Sequence, residues 1–170
     1  MQLCLVRHAI AVERGTAGYV DDRARPLTPE GRKRMKEAAS GLKQIFRPEA
    51  ILSSPILRAK QTADILADVL DAPITIADAL GNGDHHALLA ACGASGRESL
   101  ALVGHEPWMS ELLSTLLAGE PHLVSTVFRK GAAALVSTYG PPAPANGSLE
   151  WLLQPGMLRR LARATSQRPG

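Results

Sequence analysis

Apolar and polar positions form alternating blocks along the chain, and these blocks predict strands and helices in turn. Residues 3–6 are a short, continuous apolar run, which is typical of a buried strand. In the stretch "PLTPEGRKRMKEAASGLKQIF", Thr28 and Pro29 are residue types that start a helix. Apolar residues then recur at helical spacing, which predicts a helix with one buried face: Met35, Ala38, Ala39, Leu42 and Phe46.

The same alternation continues to the end of the chain. Strands are predicted at "AILSS", "APITIA", "SLALVG", "AAALVST" and "LEWLLQP". A helix is predicted after Ser54 and Pro55, which repeat the cap-then-proline start, and another is predicted after Asp84, which has the residue type of a cap. A further helix is predicted over "EPWMSELLSTLLAG" and ends at Gly119. This order favours an α/β fold, with a three-layer, open, mostly parallel sheet of about six strands and helices on both faces.

The composition excludes several classes of protein. The 170 residues are 45% hydrophobic and 21% charged, as in ordinary globular chains. Because no apolar run approaches the roughly 18 residues of a membrane span and no signal peptide is visible, we expect a cytoplasmic protein without a membrane partner. Two cysteines do not make a disulfide framework. With a net charge of +3 and only two each of Phe, Tyr and Trp, we expect no nucleic-acid partner.

The length and the absence of a linker or repeat predict one domain over residues 1–158. The stretch "YGPPAPANG" is short and rich in turn residues, so it predicts a hairpin connection within that domain. Residues 159–170, "RRLARATSQRPG", are basic and are predicted to be a flexible C-terminal tail.

Arginine and histidine residues follow three of the predicted strands. Arg7 and His8 end the first strand, Arg58 lies about one turn into the helix after the second, and His105 follows the fourth. Because open α/β sheets bind ligands outside the carboxyl ends of their strands, we expect these four side chains at one rim. Two guanidiniums, two imidazoles and the N-termini of helices suit a dianion, which predicts a phosphate site.

The segments that carry these residues resemble a known family. "LVRHAIA", "SSPILRAKQTADIL" and "LVGHEPW" are similar to motifs of the histidine phosphatase (phosphoglycerate mutase-like) superfamily, and the short chain with "RPLTPEGRKRM" resembles its SixA-type phosphohistidine phosphatases. The resemblance implies a phosphoglycerate mutase-like fold and a phosphatase that needs no cofactor. It implies that His8 is the nucleophile and forms a phosphohistidine intermediate, while Arg7, Arg58 and His105 hold the phosphoryl oxygens.

Asp22 and Arg25 match an acidic residue and an arginine that SixA-type enzymes carry before their first long helix. The resemblance therefore implies substrate-binding roles, with Arg25 as an additional clamp on the phosphate and Asp22 handling a proton or orienting a side chain. A solvated, charged loop before a helix cap is the alternative interpretation of the same residues.

The chain departs from the larger superfamily between the third and fourth strands. Many members carry a longer insertion there with a glutamate general acid, whereas this chain has no clear counterpart, and Asp84 has the residue type of a helix cap. Neighbouring His85 and His86 point apart on a helix, so no metal site is predicted. A phosphoramidate bond is weak, and its imidazole leaving group is readily protonated. This departure therefore favours hydrolysis of phosphohistidine on a protein, such as a histidine phosphotransfer domain, through an open rim.

Two other functions remain open from the sequence. One is a small-molecule phosphomonoesterase that acts on sugar phosphates or nucleotides with the same residues. The other is a non-catalytic module that binds phosphoproteins, although such a module has no need of a nucleophile at His8.

Overall fold

The structure is a computed structural model that describes residues 1–166. Its strands are β1 (Gln2–Arg7), β2 (Ala50–Ser53), β3 (Ile74–Ile76), β4 (Ser99–Gly104), β5 (Ala133–Thr138) and β6 (Gly147–Leu153). Its helices are α1 (Pro29–Leu42), α2 (Leu57–Leu70), α3 (Ala79–Asn82), α4 (His85–Ala94), α5 (Trp108–Ala118) and α6 (Pro155–Ser166). A single 3-10 turn, Asp22–Ala24, precedes α1.

The six strands form one sheet in the order β3-β2-β4-β1-β5-β6. The first four are mutually parallel, and β5 runs antiparallel between β1 and β6. The predicted mostly parallel sheet is therefore confirmed. The loop after β5 joins it to β6 as an antiparallel hairpin, as the turn-rich stretch predicts.

Helices cover both faces of the sheet, which gives the three layers predicted from the sequence. Along β1, Cys4 and Val6 pack in a core with α1, α2 and α6, whereas Leu3 and Leu5 pack in a second core with α3, α4 and α5. This division follows from the strand itself, because successive side chains point to opposite faces.

Two predicted helix starts are confirmed by their hydrogen bonds. The Thr28 hydroxyl accepts from the backbone N–H of Gly31 at 2.9 Å, and Pro29 is the first residue of α1. The Asp84 carboxylate accepts from the N–H of Ala87 at 2.9 Å and so caps α4. Each cap satisfies one of the N–H groups that a helix N-terminus leaves without a partner.

The prediction of a flexible tail from residue 159 is wrong for the part of it that the structure describes. Residues 155–166 form α6, which packs on α1 through the buried side chain of Leu158. The two helices approach so closely that a Cβ atom at Gly41 would lie 1.8 Å from the carbonyl oxygen of Leu158. Arg159 and Arg163 also pair with Glu37, at 3.8 and 3.9 Å. Residues 167–170 of the predicted tail lie outside the described residues.

The strand register brings the predicted site residues to one rim. Arg7 lies opposite Gly104 in the β1–β4 pair, and Ser53 lies opposite Val103 in the β2–β4 pair. Three neighbouring parallel strands therefore end at the same level. The residue that follows each of them projects into the same region, which is where α/β sheets place their ligands.

Candidate active site

His8 and His105 lie side by side at the carboxyl ends of β1 and β4. Their ring centroids are 5.0 Å apart, and both side chains are buried. Arg58, the second residue of α2, reaches back to the strand ends and donates from Nε to Nε2 of His8 at 3.3 Å. The structure thus brings together three residues that are separated by about 50 positions each along the chain.

Hydrogen bonds fix the tautomer of His8. Its Nδ1 atom lies 2.7 Å from the carbonyl oxygen of Ala9, and because a carbonyl oxygen only accepts, Nδ1 carries the proton. Nε2 then has a free lone pair, consistent with the N–H that Arg58 donates to it. Burial lowers the pKa of His8 to about 3, and the nearby charges of His105, Arg58 and Arg7 act in the same direction. The ring is therefore a neutral imidazole with Nε2 unprotonated at ordinary pH.

Ala9, whose carbonyl orients His8, is anchored at its N–H by a side chain of α2. The N–H of Ala9 donates to the hydroxyl of Thr62 at 3.0 Å, and that hydroxyl donates to the Arg58 carbonyl at 2.7 Å. Thr62 is completely buried. It therefore links the backbone that holds His8 to the helix that carries Arg58.

The partner of His105 is Ser54, for which the sequence predicts a different role. Nε2 of His105 lies 2.9 Å from the Ser54 hydroxyl. The prediction that Ser54 and Pro55 start α2 is wrong, because the helix begins at Leu57 and its N-cap residue, Ile56, makes no side-chain cap bond. Burial lowers the pKa of His105 to about 4, with the charge of Arg58 as the next cause, so this ring is also neutral at ordinary pH.

Two buried nitrogens at the rim have no hydrogen-bond partner among residues 1–166: Nε of Arg7 and Nδ1 of His105. Nη1 of Arg7 donates to the Phe128 carbonyl at 2.5 Å, which holds the guanidinium in place. Burial lowers the pKa of Arg7, yet an arginine stays protonated in a protein. Buried polar groups without partners are rare, and these two are suited to the oxygens of a bound anion.

Asp22 lies at the centre of a cluster of arginines. Its carboxylate is 2.9 Å from Nε of Arg14, 2.9 Å from Nη2 of Arg25 and 3.2 Å from Nη2 of Arg58. The hydrogen bond from Arg14 lowers the pKa of Asp22 to about 2, and the charges of Arg58 and Arg25 act in the same direction. The carboxylate therefore stays ionised and fixes the orientation of Arg58.

Arg25 is buried beside this cluster. Its Nε and Nη2 atoms donate to Asp22, and Nη1 donates to the carbonyl of Val12. In this structure Arg25 therefore supports Asp22 and the chain before it. Its contact with a phosphoryl oxygen stays a prediction.

Glu106 is a further acidic residue at the rim, directly after His105. Oε2 accepts from the Ser110 hydroxyl at 2.8 Å, and Oε1 is buried without a hydrogen-bond partner in the described part of the chain. Burial raises the pKa of Glu106, and the nearby charge of Arg7 opposes that rise. Such a carboxyl group is suited to holding a proton near the site.

The remaining candidate for ligand chemistry, around His85, has structural partners. Nε2 of His85 lies 3.1 Å from the Trp108 carbonyl, while Asp84 caps α4. Across residues 1–166, no three His, Cys, Asp or Glu side chains are grouped as ligands of one metal ion. No helix in that range is long and apolar enough to cross a membrane.

Comparisons with known proteins identify the family of the chain. The model of the histidine phosphatase superfamily (branch 1) matches residues 3–88. Phosphohistidine phosphatase SixA of Escherichia coli is 30% identical over 166 residues, which are 94% of this chain and 97% of that protein. An uncharacterized protein of Picosynechococcus is 38% identical over 126 residues, 71% of this chain and 75% of its own.

Among solved structures, the protein histidine phosphatase SixA complexed with tungstate superposes with a TM-score of 0.77 and 28% identity. The match covers 93% of this chain and 99% of that one. The likeness in sequence and the likeness in structure thus extend over nearly the same length. The chain therefore belongs to the histidine phosphatase superfamily, in which it is a SixA-like phosphatase.

Proposed function

We propose that the protein hydrolyses phosphohistidine on other proteins, through a covalent phosphohistidine intermediate on His8. The observation that carries this proposal is the hydrogen bond from Nδ1–H of His8 to the Ala9 carbonyl, which leaves Nε2 unprotonated beside Arg58. A neutral imidazole with its second nitrogen held as a donor is a good nucleophile for phosphorus.

In the first step, the Nε2 lone pair attacks phosphorus as the P–N bond of the substrate breaks, and the leaving imidazole takes a proton from solvent. In the second step, water attacks the phosphorus, the bond from phosphorus to Nε2 breaks, and inorganic phosphate leaves. Arg7, Arg58 and His105 hold the phosphoryl oxygens in both steps, which fixes in-line geometry and offsets the negative charge.

Two further observations support a phosphohistidine substrate. The Escherichia coli relative is named a phosphohistidine phosphatase, and a SixA structure of the same fold binds tungstate, a tetrahedral oxyanion. The segment between β3 and β4 forms only the short helices α3 and α4, which pack on the sheet through Leu80 and Leu88. A short segment here suits a phosphohistidine on a folded partner.

The test is chemical labelling of the nucleophile. A histidine phosphotransfer domain is phosphorylated with radioactive phosphoramidate and mixed with the enzyme for milliseconds before quenching in alkali. We expect an acid-labile phosphoenzyme in the wild type and none in His8→Asn, while His86→Asn, which changes an exposed histidine, behaves as the wild type. Turnover without a labelled intermediate, or turnover by His8→Asn, would overturn the mechanism.

Glu106 favours a second candidate, a phosphatase of small phosphate monoesters. An alkoxide is a poor leaving group and needs a proton from an acid, and the buried carboxyl group of Glu106 is suited to donate one. We therefore compare Glu106→Gln with the wild type on a phosphohistidine protein, p-nitrophenyl phosphate and sugar phosphates. A wild type that prefers sugar phosphates, and loses that activity about 100-fold in Glu106→Gln, would establish this candidate instead.

A further inference from the structure

A basic groove borders the candidate active site. It has a volume of about 590 Å³ and lies between β1, the residues before β5 and the start of α6. Six of its lining residues are cations and none is acidic: Arg7, Arg34, Arg129, Lys130, Arg159 and Arg160. The whole chain has a net charge of only +3, so positive charge is concentrated here.

Only two of these six cations form an ion pair within the described residues. Arg34 pairs with Glu30, and Arg159 lies 3.8 Å from Glu37. By contrast, Arg129, Lys130 and Arg160 are exposed and make no ion pair within the described residues. Their charges are therefore free to attract an anionic partner.

The groove shares Arg7 with the candidate active site. Arg7 lines the groove and precedes His8 directly. The N–H of Gly131 lies 3.1 Å from the carbonyl oxygens of both Arg7 and His8, which fixes the loop that carries Arg129 and Lys130 next to the nucleophile. A segment bound in the groove would thus lie beside the residues that flank His8.

We propose that this groove binds an acidic segment of the phosphohistidine-bearing protein and so selects the substrate. The proposal rests on the proposed function and adds the charge of the partner surface to it. A protein segment suits the groove because apolar side chains lie among the cations, including Ile10 and Met157, which is 51% exposed. Among residues 1–166, no aromatic side chain lines the groove, so this part of the chain offers no platform there for stacking nucleic-acid bases.

The test uses two synthetic peptides of equal length that carry one phosphohistidine, flanked by glutamates in one and by glutamines in the other. For the wild type we expect a higher kcat/KM on the glutamate peptide, with an advantage that shrinks as salt rises from about 20 to 500 mM. Because an exposed ion pair changes affinity by roughly two- to fivefold, removing two cations should reduce the advantage about 5- to 20-fold.

The variant carries Arg129→Gln with Arg160→Gln, and the control carries Lys36→Gln with Arg47→Gln. Both pairs are exposed and remove the same charge, but the control residues do not line the groove. We expect the groove variant to lose the advantage on the glutamate peptide and to hydrolyse the glutamine peptide at the wild-type rate. An equal loss in both variants, or no loss in either, would overturn the groove as a docking site.

A binding measurement separates this inference from the proposed function. An unphosphorylated, fluorescein-labelled glutamate peptide should bind the wild type more tightly than the groove variant in fluorescence anisotropy. If the peptide binds in this way but no phosphohistidine is hydrolysed, the proposed function fails and the groove stands. If both peptides are hydrolysed but the labelled peptide binds the wild type and the groove variant equally tightly, the proposal that the groove binds the substrate is wrong. If duplex DNA or phosphatidylserine vesicles bind the groove more tightly than the glutamate peptide does, the partner is a nucleic acid or a membrane and the proposed protein partner is wrong.

Discussion

Replacing Thr62 by valine tests whether the hydroxyl that anchors Ala9 also positions the nucleophile. Valine keeps the shape of the side chain and removes two hydrogen bonds, from the N–H of Ala9 at 3.0 Å and to the Arg58 carbonyl at 2.7 Å. The Ala9 N–H then stays buried without a partner, which costs about 1–3 kcal/mol of unfolding free energy. For a domain of this size we expect the melting temperature to fall by roughly 2 to 12 °C.

The same change should affect catalysis more than binding. The Ala9 N–H belongs to the peptide group that follows His8, and the Ala9 carbonyl holds Nδ1 of His8. A displaced Ala9 backbone therefore misdirects Nε2 and lowers kcat by roughly tenfold or more. Inhibition by tungstate should change little, because the side chains of Arg7 and Arg58, which we propose hold the anion, are unaltered. Stopped-flow turnover of phosphorylated histidine phosphotransfer domain and calorimetric melting measure the two effects.

Two further substitutions make the result decisive. Thr62→Ser retains the hydroxyl and should restore kcat, with a loss of about 1 kcal/mol for the missing methyl group. Thr115→Val is the matched control, since the buried Thr115 hydroxyl also bonds the carbonyl four residues earlier, at 2.9 Å, but accepts no backbone N–H. A kcat for Thr62→Val equal to that of Thr115→Val would refute the positioning role.

Three further predictions concern pH, charge and packing. Because burial lowers the pKa of His8 to about 3, the unfolded chain binds a proton between about pH 6.5 and 3 that the folded chain does not. Urea unfolding should therefore show stability falling as pH drops from about 6.5 toward 4. Asp22→Asn removes the anion shared by three guanidiniums and should weaken tungstate inhibition several-fold, with little change in melting temperature because the residue is half-exposed. Gly41→Ala places a methyl group 1.8 Å from the Leu158 carbonyl and should destabilise the fold by at least about 2 kcal/mol in chemical denaturation.

Each of these predictions has a result that contradicts it. An NMR titration of the His8 ring with a midpoint near pH 6.5 would remove the basis of the pH prediction. Unchanged tungstate inhibition in Asp22→Asn would mean that Arg58 keeps its orientation without the Asp22 carboxylate. For the packing prediction the control is Gly156→Ala in α6, where a Cβ has no neighbour within 4 Å, and equal stability of the two alanine variants would contradict it.

The sequence predicts those parts of the fold and site that depend on periodicity and on strand ends. The continuous apolar run at residues 3–6 predicts a strand that is buried on both faces. In the structure, helices cover both faces of this strand. The convergence of His8 and His105 follows from the same logic, since Arg7 and Gly104 lie opposite each other in parallel neighbouring strands. The catalytic roles of these residues stay predictions.

Other parts of the site depend on contacts that local patterns do not contain. Ser54 before a proline has the pattern of a helix cap, but its hydroxyl bonds a histidine 51 positions away. Thr62 occupies an inner-face position of α2, where its hydroxyl gives no sign that it accepts from Ala9. The tautomer of His8 is set by a backbone carbonyl, and every residue has one.

The C-terminal helix was missed for a similar reason. The arginines of α6 suggest a solvated segment. Its contact point on α1 is Gly41, which has no side chain and therefore does not appear in a pattern of apolar residues. The close approach of the two backbones at Gly41 and Leu158, the buried Leu158 side chain and the ion pairs with Glu37 show why the segment is ordered.

That helix also separates two properties of the molecule. Met157, Arg159 and Arg160 of α6 form one wall of the basic groove. The side chains of His8 and His105 instead form hydrogen bonds with the Ala9 carbonyl, Arg58 and Ser54, which lie outside α6. Exchanging the outward side chains of α6 would therefore retarget the protein to different client surfaces while its reaction chemistry stays as it is. Substitutions in a single helix can therefore change which phosphorylated proteins the enzyme accepts.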